Sequence, residues 1–296
     1  MSRLRSKGDK VFDIVNIMFF ILMWFIMIMP VYMMVVTSFV SAAEFHSTPL
    51  ILWPKNPTAI SYQYIFSTGD IMQALGITVF ITVVGTVLSM FFTLCLAYGL
   101  SKNNLPGGKF ILRMLLLTMF LDTGLIPYYL LVKGMGLTNN VFANIVPALI
   151  SLWNFLVIRS FFRELPKEIE EAAHVDGATH FQIFWRVVLP ISKPVVATFT
   201  LFYAVGYWNS WYNSMLFVQD ASLHTLQHLL RRMIVNQETL WGMQESFASN
   251  VGGRISLFTE SVQMAACVIA MVPIICVYPF LQKYFVTGVM IGSIKG

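Results

Sequence analysis

The side chains best suited to specific chemistry lie in one short polar segment, Glu168-Ile169-Glu170-Glu171-Ala172-Ala173-His174-Val175-Asp176-Gly177-Ala178. Carboxylates followed by alanines favour the start of a helix, because acidic side chains interact well with the positive N-terminal end of the helix dipole. Asp176-Gly177 then predicts a turn, since glycine adopts backbone angles that bulky residues avoid. The residues that follow, including Phe181 and Phe184, are amphipathic in pattern. The segment therefore predicts non-covalent chemistry, a helix–turn–helix whose apolar face needs a partner.

No other group of residues has the spacing of a catalytic, metal or phosphate site. The sequence lacks a glycine-rich loop that ends in Gly-Lys-Ser/Thr, so we do not expect this chain to bind ATP through such a loop. His224 and His228 lie one helical turn apart, but two ligands alone make a poor metal site. Cys95, Cys267 and Cys276 lie in apolar segments, which favours a packing role. We expect neither catalysis nor a cofactor bound by this chain.

The elements that must position the polar segment are long apolar runs. Of the 296 residues, 57% are hydrophobic and 11% are charged, whereas a soluble domain carries about 25% charged residues. A helix crosses a bilayer with roughly 20 apolar residues, and its backbone groups bond to one another. Hydropathy predicts six such spans, at about 12–39, 72–100, 110–131, 141–162, 191–218 and 262–285. The predicted fold class is all-α, a single integral membrane domain over residues 1–296.

The distribution of lysine and arginine predicts which side of the membrane each connection faces. Fourteen of these residues lie in the two termini and the second and fourth connections, and five lie in the other connections. Because cytoplasmic loops carry the excess of positive charge, both termini are predicted to be cytoplasmic. The same count places the long connections at about 40–71 and 219–261 outside, and the one at about 163–190 inside.

The second external connection contains a further helical pattern. Apolar residues recur at helical spacing beside Arg231 and Arg232, and they are Leu223, Leu226, Leu229, Leu230, Met233 and Ile234. This pattern predicts a short amphipathic helix. Three environments fit it: the membrane surface, a partner protein, or the rest of the chain.

The polar segment resembles the signature loop of ABC importer permeases. Its spacing is Glu-Ala-Ala, three residues, Gly177, nine residues and then Val-x-Leu-Pro, although Val187 stands where the family usually has isoleucine. Leu125-Ile126-Pro127 with Gly136-Leu137 and the pair Trp208-Asn209 resemble motifs of maltose-type permeases. The tail from Gln282 to Gly296 is similar to the ending of their oligo- and polysaccharide subgroup. Ser214 departs from the proline that many relatives carry. The resemblance extends over nearly the whole chain and is clearest from about residue 71 to the end.

This resemblance implies a permease subunit that imports an oligo- or polysaccharide, neutral or acidic as in alginate, across the bacterial cytoplasmic membrane. It implies a second homologous permease, two ATPase subunits that bind ATP and Mg²⁺, and an extracytoplasmic solute-binding protein as partners in the lipid bilayer, and no nucleic acid. In the family the signature loop docks as a coupling helix into a cleft on an ATPase subunit. The matching residues here are Glu170, Glu171, Ala172, Ala173, Asp176, Gly177 and Pro190.

The end of the fifth predicted span carries side chains that suit a carbohydrate, since aromatic faces stack on sugar rings and amides bond hydroxyls. They are Tyr203, Tyr207, Trp208, Asn209, Trp211 and Asn213. The first three lie along one helical stripe. Aromatic residues near the end of a span also act as interface anchors or pack helix against helix. Asp122, the one acid near membrane depth, faces either a cavity or the membrane interface. Outside, Arg231 and Arg232 with the two histidines suit an acidic substrate.

Two other functions compete with carbohydrate import by an ABC transporter. A permease of the same family could carry another solute, such as amino acids or metal ions, but the carbohydrate-type tail argues against this. A secondary transporter would show inverted repeats, broken helices and several charges at membrane depth. The sequence has no detectable repeat and almost no charge within the spans. The polar segment, which needs a cytoplasmic partner, favours the ATP-driven importer.

Overall fold

The computed structural model of the protein describes residues 7–48, 51–102, 104–121, 123–235 and 260–276. Helix dominates these residues, and none of them forms a strand. The α-helices are α1 (Lys7–Ser38), α2 (Ala42–Ser47), α3 (Ile60–Thr68), α4 (Asp70–Ser101), α5 (Gly108–Phe120), α6 (Leu125–Gly134), α7 (Leu152–Glu164), α8 (Lys167–Val175), α9 (His180–Ile183), α10 (Leu189–Ile191), α11 (Lys193–Trp208), α12 (Tyr212–Phe217), α13 (Leu226–Val235) and α14 (Glu260–Cys276). Short 3₁₀ turns cover Val141–Asn144, Val146–Ala148 and Ala221–Leu223, and a π-helical turn covers Phe184–Val188.

The chain divides into two compact units, of which the first comprises Met1–Gly69 and Met233–Val272. In its described part, Ser261 Oγ lies 2.7 Å from Ser61 Oγ and donates a hydrogen bond to the Ser38 carbonyl at 3.1 Å. These bonds connect α14 to α3 and to the end of α1. Satisfying polar groups inside the unit suits a membrane protein, because lipid offers them no partner.

The second unit comprises Asp70–Arg232 and Pro273–Gly296, and its described part is built around α4. Helices α7 and α11 pack along α4, and the core between them contains Ile81, Phe155 and Ile158, each fully buried. Helix α4 is an unbroken run without proline, so every backbone bond within it can form. The functional residues of this unit that are described below make contacts with α4.

In the part of the chain that the structure describes, two helices are long and apolar enough to cross a membrane by themselves. They are Lys10–Ser38, with 29 residues, and Asp70–Ser101, with 32 residues, and they match the first two predicted spans. Two bent pairs of shorter helices bring the number of candidate spans to four, and α14 is a shorter apolar helix in the sixth predicted span. Six spans remain a prediction, and the second half of the sixth lies outside the described residues.

The third, fourth and fifth predicted spans are each interrupted in the structure. Helices α5 and α6 are separated at Gly124, which has a positive φ of 73°. In the fourth span, Val141–Ala148 and Leu152–Glu164 meet at 44°. The break follows Pro147, which lacks the N–H of an α-helical ladder, and it ends at Ser151, whose extended backbone and side-chain bond from the Asn154 N–H start α7.

The fifth span has an interruption at each end. Residues His180–Ile191 and Lys193–Trp208 meet at an angle of 85° around Ser192. Pro190 and Pro194 flank this bend, and each removes one backbone donor from the helical ladder. At the far end, α11 stops at Trp208 and α12 begins at Tyr212. Residues 180–208 therefore form two helical parts at a sharp angle and not one straight helix.

Candidate functional site

The polar segment singled out in the sequence consists of α8, a tight turn and α9 with the π-helical turn behind it; we call residues 167–188 the docking segment. The Asp176 N–H donates to the Ala172 carbonyl at 3.1 Å, and Gly177 has a φ of 79°. Thr179 and Gln182 form a reciprocal capping box that starts α9. Because only glycine readily takes a positive φ, Gly177 determines how α8 and α9 are joined.

One face of α8 is exposed and combines acidic with apolar residues. Glu168, Glu171, Ala172 and Val175 are exposed at positions i, i+3, i+4 and i+7, and Val175 is 88% exposed. Phe181, in α9, is 69% exposed. On the opposite side, Ala173 and Ala178 pack against the core of the second unit. The residues matched to the signature loop therefore fall on two sides of α8.

Glu170 is held inside the chain by a residue that the sequence analysis did not single out. Its carboxylate forms an ion pair with Lys102, at the end of α4. The Lys102 ammonium also lies 4.3 Å from the ring centroid of Tyr98, and the Tyr98 ring packs on Phe184 with centroids 4.8 Å apart. These contacts fasten both helices of the docking segment to α4. Lys102 and Glu170 are 68 residues apart, so no local pattern could have paired them.

The tyrosines predicted to line a sugar pathway join α11 to its neighbours. The Tyr203 hydroxyl lies 2.7 Å from Thr93 Oγ1 and accepts from the Ser151 N–H at 2.9 Å. The Tyr207 hydroxyl lies 2.8 Å from Ser89 Oγ and donates to the Ile145 carbonyl at 3.3 Å. Both side chains are buried, which favours the helix-packing alternative, and their pathway role stays a prediction.

The other predicted pathway residues have separate environments. Trp208 is buried, and its Nε1 has no hydrogen-bond partner among the described residues. Asn209 is exposed and donates to the Val205 carbonyl of its own helix at 2.9 Å. The Trp211 ring lies 3.8 Å below the guanidinium of Arg231, and Asn213 Oδ1 accepts from the Tyr128 hydroxyl at 2.9 Å. Asp122 and the tail from Gln282 lie outside the described residues.

A cavity of about 730 Å³ opens between the break in the fourth span and α11. Its polar lining residues are Asn144, Ser151, Asn154, Tyr203, Tyr207 and Ser210, and its aromatic ones include Trp153 and Phe202. Asn144 is 1% exposed, and its Oδ1 has no hydrogen-bond partner among the described residues. A buried acceptor without a partner is unfavourable, so this amide is suited to a ligand hydroxyl. Except for the two tyrosines, the sequence analysis missed these residues, because hydropathy treats the fourth span as a plain helix.

The amphipathic helix predicted outside is α13, and its apolar face is buried. Leu226, Leu229 and Leu230 are all less than a tenth exposed, which favours the packing alternative, whereas Ile234 is 57% exposed. Before and within α13, the rings of His224 and His228 lie 4.3 Å apart. Burial, and then the charge of His224, lower the pKa of His228 to about 4. Burial also lowers the pKa of His224, so both rings are neutral near pH 7.

Comparisons with known proteins agree over most of the chain. Residues 109–291 match the family model described as "Binding-protein-dependent transport system inner membrane component". Protein LplC of Bacillus subtilis (strain 168) is 38% identical over 98% of this chain and 97% of its own length. The polygalacturonan/rhamnogalacturonan transport system permease protein YtcP of the same organism is 36% identical over 97% of this chain and 99% of its own length. A chain in the crystal structure of a bacterial ABC transporter involved in the import of the acidic polysaccharide alginate superposes with a TM-score of 0.86 at 29% identity, covering 96% of this chain and all of that one.

Proposed function

Because the chain belongs to the family of binding-protein-dependent transport system inner membrane components, we propose that it forms half of the translocation pathway of an ATP-driven carbohydrate importer. The chain is a permease subunit of the ABC type, and its substrate class is an oligo- or polysaccharide. One observation carries this conclusion: the likeness to the alginate importer chain extends over 96% of this chain. The family match over residues 109–291 includes the docking segment.

The proposed assembly contains a second, homologous permease, two ATPase subunits and a solute-binding protein. The ATPase subunits bind ATP and Mg²⁺, and this chain binds neither. Both termini and the docking segment face the cytoplasm, where the ATPase subunits dock, and the connections at about 40–71 and 219–261 face the binding protein. The exposed acidic and apolar face of α8 supports this arrangement, because charged and apolar surfaces together are typical of specific interfaces.

The contacts of the docking segment suggest how movement of an ATPase subunit reaches the membrane. The segment continues through the π-helical turn and α10 to the 85° bend and into α11. The Lys102–Glu170 ion pair connects it to α4 as well. Closure of the ATPase subunits would therefore pull on α4 and α11 together. Because packed helices shift as rigid bodies, this pull would switch the cavity between inward-open and outward-open states.

We assign the carbohydrate contact of this chain to the cavity beside the break in the fourth span. Broken helices at membrane depth create binding sites in transporters because their free polar groups face the ligand. Asn144 offers an acceptor to a sugar hydroxyl, and Trp153, 54% exposed, offers an aromatic face to a sugar ring. Tyr203 and Tyr207 line the same cavity while their hydroxyls bond to α4. The two tyrosines thus hold the wall of the cavity against α4.

Purification of the tagged chain from its native host tests the function as a whole. An ATPase subunit and a second permease should be retained on the affinity column. Cells that lack this chain should lose uptake of a radiolabelled oligosaccharide, and uptake in wild-type cells should stop on ATP depletion. A chain that purifies without an ATPase subunit, with uptake that responds to a protonophore but not to ATP depletion, would instead identify a secondary transporter.

Asn144→Leu tests the cavity. The leucine side chain keeps the branched shape but loses the acceptor, so uptake should fall roughly threefold to tenfold, the effect of one lost hydrogen bond. Thermal stability should change little, because removal of a buried acceptor without a partner offsets the loss of the long Nδ2 bond to the Val141 carbonyl at 3.4 Å. The control is Asn56→Leu, an exposed amide in the first unit, which should leave uptake unchanged. If Asn144→Leu lowered stability and uptake in parallel, Asn144 would be a packing residue and not a sugar contact.

A further inference from the structure

Arg231 is the most available cation of the α13 region. It is exposed, and its guanidinium carbon lies over the Trp211 ring, 3.8 Å from the ring centroid. Among the described residues no carboxylate forms an ion pair with it. Stacking uses only the face of a guanidinium, so the N–H donors along its edge stay free for a planar anion.

The neighbouring polar side chains already have partners. Arg232 Nη1 lies 3.3 Å from His224 Nδ1. The Asp220 carboxylate accepts the Ser222 N–H at 2.9 Å and the Ser222 hydroxyl at 2.7 Å. The rings of His224 and His228 lie against each other, tilted by 34°. Among the described residues around α13, Arg231 is therefore the exposed cation whose N–H groups are available to a ligand.

The Arg231–Trp211 pair is one residue along the chain from the lining of the cavity. Trp211 follows Ser210, which lines the cavity, and the Thr225 hydroxyl just before α13 donates to the Ser210 carbonyl at 2.8 Å. The pair thus combines a cation and an aromatic ring near a cavity that we assign to carbohydrate. Carboxylates are bound well by the edge of an arginine, in a two-bond geometry that no neutral sugar hydroxyl can reproduce.

We propose that Arg231, held in place by Trp211, binds the carboxylate of an acidic sugar unit as a uronate-containing oligosaccharide enters the cavity. This inference rests on the proposed function. It assigns the choice of acidic over neutral carbohydrate to one residue of this chain.

The test compares two trisaccharides that differ only in charge, trigalacturonate and its methyl ester. Both are titrated into the purified importer complex in lipid nanodiscs, and binding is followed by saturation-transfer NMR. Wild type should bind trigalacturonate roughly tenfold more tightly or better, because the ester removes a charge-assisted bond. Arg231→Gln should abolish this preference by weakening trigalacturonate alone, and Arg231→Lys should keep part of it. Arg113→Gln, at an exposed arginine of α5, is the control and should behave as wild type.

The salt dependence of wild type provides a second measurement that needs no variant. Rising ionic strength should weaken trigalacturonate binding and leave the ester unaffected. The proposal is wrong if Arg231→Gln keeps the wild-type preference, if it weakens both trisaccharides equally, or if wild type has no preference. In each of these results neutral binding still supports the proposed function, whereas a complex that neither binds nor transports any saccharide would overturn that function itself.

Discussion

Gly177→Val should lower ATP-driven uptake by roughly an order of magnitude or more while the importer stays assembled. The φ of Gly177 is 79°, and a β-branched residue is least tolerant of a positive φ. An added Cβ would meet nothing within 4 Å, so the effect does not come from a clash inside this chain. The loss of uptake comes from the turn, because relaxation of the strained backbone changes the orientation of α8 and its exposed face relative to α9.

Substitution of a second glycine is a control that separates the effect of backbone strain from an effect on coupling to the ATPase subunits. Gly136 has a φ of 71° and an equally open Cβ position, but it lies far from the docking segment in sequence. Gly136→Val should therefore lower thermal stability by about as much as Gly177→Val and retain most of the uptake. Uptake, ATP hydrolysis stimulated by the binding protein and thermal stability should be measured for both variants. Equal losses of uptake in the two variants would remove the docking role from this turn.

Gly85→Ala should prevent normal packing of α4 against α11. A Cβ at Gly85 would lie 2.7, 2.8 and 2.9 Å from three carbons of the Tyr207 ring, which is 3% exposed. Overpacking of this kind costs about 1–3 kcal/mol. Displacing the ring would also break its bonds to Ser89 and Ile145, for about 0.5–1.5 kcal/mol each. We expect a low yield of assembled complex and a lower melting temperature.

Two further glycines of the same helix are matched controls. At Gly76 and Gly99 an added Cβ meets nothing within 4 Å, and alanine is the better helix former. Alanine at either position should leave stability unchanged or raise it. In a Tyr207→Leu background the loss caused by Gly85→Ala should shrink, because the two changes share one contact. A Gly85→Ala protein as stable as the controls would show that the ring does not occupy the space above Gly85.

Sequence patterns predicted the elements whose signal is local. The second predicted span, 72–100, corresponds to Asp70–Ser101, because no proline or long polar run interrupts it. The pattern around Leu226 predicted α13, and Asp176-Gly177 predicted the turn after α8. The resemblance of the chain to carbohydrate ABC importer permeases is confirmed by the family match and the relatives.

Features that depend on distant parts of the chain escaped prediction. Hydropathy averages over the break at Pro147, so the cavity that the break opens was missed. In an apolar helix no polar stripe indicates which side faces its neighbours, and Tyr203 and Tyr207 gave no sign that they would bond to α4. Broken helices had been associated with a secondary transporter, yet the fourth and fifth spans are broken in a member of the ABC permease family. Helix breaks alone therefore do not separate the two classes.

The two tyrosine hydroxyls that bond to α4 limit the sliding of α11 along α4. Their partners, Thr93 and Ser89, are four residues apart, as Tyr203 and Tyr207 are, and the two sequences run in opposite directions. Moving α11 along α4 by one helical turn would bring one tyrosine to the other's hydroxyl partner and leave the second facing apolar residues. An unpartnered hydroxyl inside the membrane is unfavourable. The Tyr203–Thr93 and Tyr207–Ser89 pairs therefore hold α11 at one position along the axis of α4. We therefore expect α4 and α11 to tilt together as one rigid body when the cavity changes between its inward-open and outward-open states. The gap then opens where this pair of helices meets other helices, and not between α4 and α11.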